Sequence, residues 1–125
     1  MAAIVGEVIK NNKSYVSTAD QSSNQYKFQN IDANGQIVLA GAGADAIGVL
    51  QDKPTAGQPG SVCGPGDITQ VQAGGSFAAG ASISSDLNGK AIASVTGSAI
   101  LGKAMTAGAA GSNAYVLFQP VGRKL

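Results

Sequence analysis

Two short turns, Asp32-Ala33-Asn34-Gly35 and Asp86-Leu87-Asn88-Gly89, stand 54 positions apart and constrain this chain more than any other feature. Asn-Gly between apolar segments marks a two-residue hairpin, because a type I′ turn needs positive φ at both central positions. The same offset, continued without a gap, places Gly43 on Gly97, Gly48 on Gly102, Val38 on Ile92 and Ile47 on Leu101. Each copy reads as hairpin turn, strand, glycine-containing loop, and strand with a central glycine. Two such units predict an all-β protein, a small compact β-barrel or sandwich of short strands, whose halves shield each other's edges.

The residue supply agrees. Val and Ile number 19 against 6 Leu, Glu7 is the one glutamate, and 18 glycines imply many turns. Good helix formers are therefore scarce and β-branched residues common. At 125 residues the chain forms one domain with room for its own core.

Strands are expected over residues 26–31, with Tyr26 and Phe28 on one face, and over 36–40, 46–50, 67–73, 81–87, 90–96, 100–106 and 114–119. Residues 54–66, with Pro54, Pro59, Pro65 and four glycines, read as a long loop, and Pro120 closes the last strand. Residues 1–25 read as an N-terminal arm ahead of a β domain over 26–125. The arm has a short apolar strand at 4–9, then a polar stretch at 10–25 with little to fold against.

Composition also limits function. Net charge is +1 with 12% charged residues, so the basic stripe that nucleic acid requires is missing, and no nucleic-acid partner is expected. There is no His, and Cys63 is the single cysteine, which removes His-based triads and His/Cys metal sites. No catalytic residue, metal or cofactor is assigned, and the chain is read as a non-enzyme. The longest apolar runs are four to five residues, against about 20 for a membrane span, so no membrane partner is expected. The N-terminus lacks a basic n-region and reads as no signal peptide, which implies synthesis in a cytoplasm.

Three motifs are better explained structurally. Gly41-Ala42-Gly43-Ala44-Asp45-Ala46 fits a dinucleotide fingerprint, but Gly48 and Pro54 disfavour the helix that must follow. Gly97 to Lys103 nearly fits a phosphate loop, but Ala104 removes the Mg²⁺-binding hydroxyl, and the repeat assigns Lys103 to a strand. The Asp-x-Asn-Gly turns lack the remaining calcium ligands. Cys63, in a Gly/Pro-rich loop with no activating His, reads as a small packing residue.

A family resemblance rests on several segments. They are Ala46-Ile47-Gly48-Val49-Leu50 with Pro54 and Gly57, Gly66-Asp67-Ile68 with Val71, and Ala73-Gly74-Gly75. They continue with Ala79-Gly80-Ala81-Ser82-Ile83, Asn88-Gly89-Lys90-Ala91, Ile100-Leu101-Gly102-Lys103-Ala104 and Tyr115-Val116-Leu117-Phe118. Over residues 41–120 the chain resembles the head decoration, or capsid cement, proteins of tailed bacteriophages. The family tends to carry an acidic residue where Ala81 follows Ala79-Gly80, so no ligand role is carried over there. The resemblance implies a structural virion protein on the outer capsid surface. It would clamp neighbouring major capsid subunits of the expanded shell and cluster as homotrimers at three-fold or quasi-three-fold sites. Ile4, Val5, Val8, Ile9 and Tyr15 of the arm are the candidate capsid-contact residues, through strand addition to a neighbour. The rival reading is a small β binding module of a phage tail or surface assembly that recognises carbohydrate. It is disfavoured by the lack of Trp and by only three Tyr.

Overall fold

A computed structural model describes residues 7–125. Its ten strands are β1 (Lys13–Val16), β2 (Phe28–Ile31), β3 (Ile37–Leu39), β4 (Gly48–Leu50), β5 (Pro59–Cys63), β6 (Ile68–Gln72), β7 (Ser82–Ser85), β8 (Ala91–Ala93), β9 (Ala99–Ala104) and β10 (Asn113–Arg123). They form two five-stranded antiparallel sheets, ordered β1-β5-β4-β2-β3 and β6-β10-β9-β7-β8. Adding five to each strand number of the first sheet yields the second.

The repeat therefore holds down to register. Asn30 pairs with Val38 as Ser84 pairs with Ile92. Gln29 pairs with Gly48 as Ile83 pairs with Gly102. In both turns the aspartate's Oδ1 accepts two backbone amides, Asn34 and Gln36 at 2.9 and 3.0 Å for Asp32, and Asn88 and Lys90 at 2.8 and 2.9 Å for Asp86. These bonds are the local side-chain-to-backbone pattern that makes Asp a turn former. In the first turn the Gln36 amide first, then the Thr18 hydroxyl, favour the ionised form of Asp32 and lower its pKa below 3.8. Gly48 and Gly102 are small for one shared reason. A Cβ at Gly48 would overlap the Cys63 carbonyl, and one at Gly102 the Leu117 carbonyl.

Each sheet curls back on itself. A parallel bridge joins Ser17, just past β1, to Ile37 of β3, and a second joins Ala73, just past β6, to Ala91 of β8. The edge strands of each sheet are thus tied together at one end.

Three expectations change. Residues 10–25 contribute a sheet strand, β1, paired with β5 from Lys13↔Val62 to Val16↔Pro59. A polar strand is stable there because its backbone bonds are satisfied and Tyr15 packs on Ile37, Leu50 and Val62. Residues 54–66 contain β5, since Pro59 starts the strand, where proline is tolerated. β10 runs past Pro120 to Arg123, with a register shift between Phe118 and Gly122 that accommodates the missing amide.

The larger core cluster lies between the sheets and joins Phe28, Val49 and Cys63 of the first to Val71, Ile83, Leu101, Val116 and Phe118 of the second. The Phe28 and Phe118 ring centroids are 6.2 Å apart with planes tilted by 39°. The second sheet also reaches into the first through its backbone: the Phe28 amide donates to the Gly89 carbonyl, and Gly43 to Ser85.

Candidate functional site

Of the arm residues proposed for contact, Val8, Ile9 and Tyr15 are described, and they have different surroundings. Ile4 and Val5 lie outside the described residues. Val8 is 40% exposed and forms a two-bond bridge with Ile68 of β6, its amide donating at 2.8 Å and its carbonyl accepting at 2.9 Å. Ile9 packs against the main core and Tyr15 against the smaller one. At Val8 the N-terminal segment thus bridges to the edge strand β6 of its own chain.

Asp67 anchors that segment. Its carboxylate is buried and accepts the backbone amides of Lys10 at 2.8 Å, Asn11 at 3.0 Å and Gly64 at 3.1 Å. Three amides converging on one buried carboxylate satisfy it without a counter-charge. The Gly66-Asp67-Ile68 segment carried part of the family resemblance, but its holding role needed the fold to appear.

A partly apolar surface groove was missed by sequence reasoning. It measures about 430 Å³ and lies on the outer face of the second sheet, lined by Ser82, Ile100, Lys103, Leu117, Gln119 and Val121. Val121 is 66% exposed there. Lys103 sits on β9, paired with Leu117 and Ser82, and not in a phosphate loop. Gly43, in the dinucleotide-like segment, adopts φ 64° and donates to Ser85, so it serves as a turn between sheets. Comparison of the two repeats would have revealed the groove, because the first repeat carries Phe28, Val49 and Cys63 where the second carries Ser82, Lys103 and Leu117.

Cys63 lies on β5 and is fully buried, not in a loop. Burial raises its thiol pKa from 9.0 to about 11, so at neutral pH it is protonated and a poor nucleophile. Among the described residues, no group of three or more His, Cys, Asp or Glu side chains converges as metal ligands would. What the surface offers is shape, apolar area and backbone edges, which suit a binding partner.

A family model described as phage cement protein matches residues 20–119. This chain belongs to the phage cement protein family. It is accordingly a structural, capsid-associated protein of bacteriophage virions. The match leaves residues 1–19 and 120–125 outside it and includes both turns and all of the groove lining except Val121. The fold is also similar to a solved structure, the crystal structure of the head fiber gp8.5 N base in bacteriophage phi29. The TM-score is 0.72 with 15% identity, covering 91% of this chain and 98% of that one. Among curated proteins, none matches.

Proposed function

We propose that this cement protein binds the outer surface of the expanded phage head and holds neighbouring major capsid subunits together. The match of a cement-protein family over residues 20–119 carries this reading. In it, the protein is made in the host cytoplasm and joins the shell as a homotrimer at three-fold or quasi-three-fold sites. It uses neither nucleic acid nor cofactor. Attachment through three copies multiplies a modest contact, because once one copy binds the others are held at high effective concentration.

The N-terminal segment supports the same reading. Val8 is tethered by one bridge and remains 40% exposed, and Ile4 and Val5 precede it. We assign Ile4, Val5 and Val8 to the capsid contact, with Ile9 and Tyr15 orienting them from the body. The test mixes purified protein with expanded empty capsids and, in parallel, with immobilised glycans. Saturable decoration of capsids, weakened by deleting residues 1–10, is the expected result. Glycan binding without capsid binding would replace this reading with the carbohydrate module.

A further inference from the structure

The two repeats have the same strand order and register, yet one face of each meets a different fate. In the first repeat, the face bearing Phe28, Val49 and Cys63 is fully buried. The second repeat covers it: Phe118 lies against Phe28, the Gly89 carbonyl accepts the Phe28 amide, and Thr69 lies beside Cys63 with its hydroxyl accepting the Gln51 side-chain amide at 2.8 Å. In the second repeat, the equivalent face bears Ser82, Lys103 and Leu117 and is the open groove. Among the described residues it stays open, with Lys103 exposed and Ser82 and Leu117 half-buried.

The converse surface is open over part of its extent, although Gly64, the counterpart of Phe118, is buried. Thr69 and Gly89, which do the covering, are buried, and so is Ser85, which accepts the Gly43 amide. Their first-repeat counterparts are Lys13, Gly35 and Ile31, and all three are exposed. The counterpart of Thr69 follows from pairing, since Lys13 faces Val62 as Thr69 faces Val116. Val16, on the same strand as Lys13, is 40% exposed, as is Ile31. The described residues therefore leave an unfilled socket on the second repeat and an unused plug on the first.

We propose that a second copy of this chain fills the socket. The plug of one copy, formed by β1 and the Asp32–Gly35 turn, docks in the Ser82–Lys103–Leu117 groove of the next and repeats the intrachain contact between molecules. The contact is heterologous, head to tail, so it closes into a ring when the rotation permits. It deepens the homotrimer reading, supplying the contact by which three copies close, and does not depend on what the trimer binds. The groove's mixed chemistry fits an interface that forms after folding. Ser82 and Lys103 replace Phe28 and Val49, which keeps the open face soluble, while Ile100, Leu117 and Val121 retain apolar area for docking.

Equivalence names the residues that must meet. Thr69 touches Cys63 within the chain, so Lys13 of one copy should lie beside Leu117 of the next. Two single variants, Lys13→Cys and Leu117→Cys, are mixed and oxidised, both free in solution and on decorated capsids. The expected product is a disulfide-linked heterodimer that forms in the mixture and not in either variant alone. In the otherwise native chain, Leu117→Glu should weaken self-association about tenfold or more while circular dichroism stays unchanged. Dimers of Leu117→Cys alone would show a two-fold face and overturn the proposal. So would a mixture that fails to cross-link although light scattering shows oligomers. Monomers both in solution and on capsids would overturn the trimer reading along with it. Cross-linking without capsid binding would uphold the head-to-tail contact while removing the capsid role.

Discussion

Tyr26 and Gly80 occupy the same place in the two repeats, both with left-handed backbone, at φ 65° and 88°. Both amides donate at 2.7 Å, Tyr26 to Leu50 and Gly80 to Ala104, so the bend into β2 and β7 is built alike. Holding a tyrosine there costs about 1–2 kcal/mol of strain, while glycine would bring about 0.5–1 kcal/mol of extra chain entropy. We expect Tyr26→Gly to shift unfolding stability by no more than about 1 kcal/mol. Tyr26→Val, β-branched at positive φ, should cost about 2 kcal/mol or more. Urea midpoints of the two variants check this, and equal losses would refute it.

Gln29 is buried with both ends of its amide unpartnered, at the position where the second repeat has Ile83. An unsatisfied buried amide costs roughly 1–3 kcal/mol. Gln29→Met keeps the length of the side chain and removes both polar atoms, so it should raise stability by about 1–2 kcal/mol. A loss of stability in thermal unfolding would instead mean that the amide holds an internal water.

Asp67→Ala would leave the amides of Lys10, Asn11 and Gly64 without their acceptor. The expected cost is about 2–4 kcal/mol. Asp67→Asn, which keeps one acceptor oxygen, should cost less. Amide hydrogen exchange locates the effect: protection should fall at residues 8–11 and 64 first, and uniform loss across both sheets would contradict the anchoring role.

Burial holds the Cys63 thiol pKa at about 11 against an ordinary 9.0. A raised acid pKa means that the folded state keeps its proton longer than the unfolded state. Stability from this source is therefore constant below pH 9 and declines as pH rises from about 9 to about 11. Denaturant unfolding of native protein and of Cys63→Ala across that range should diverge in slope, the native protein falling faster. Parallel curves would count against it. Alkylation of the folded protein at pH 8 should be far slower than that of the unfolded chain.

The turns and the offset of 54 were legible because Asp, Asn and Gly act through their own backbone, so the signal is local. β1 was hidden because Lys13, Ser14 and Val16 face solvent and only Tyr15 faces inward, which leaves no alternation to detect. β5 was hidden because prolines mark both ends of a loop and the first position of a strand. The groove leaves its trace only in the comparison of the two repeats, where Ser82, Lys103 and Leu117 stand for Phe28, Val49 and Cys63. Leu117 and Ile100 read as core until the fold shows that nothing lies over them.

Identical register in both halves also creates a hazard for a newly made chain. β1 and β6 dock on β5 and β10 in the same antiparallel way, so each presents the other's partner with a plausible wrong strand. An exchange would preserve most of the strand-to-strand backbone bonds and would have to be rejected mainly by side chains. Tyr15 is matched to the Ile37, Leu50 and Val62 cluster, whereas its counterpart Val71 is fully buried in the larger cluster. A tyrosine in place of Val71 would overpack that buried site, and a valine in place of Tyr15 would leave the smaller cluster underfilled. Divergence between the two copies thus acts as proofreading, and making them more alike should slow correct folding even where it improves each half.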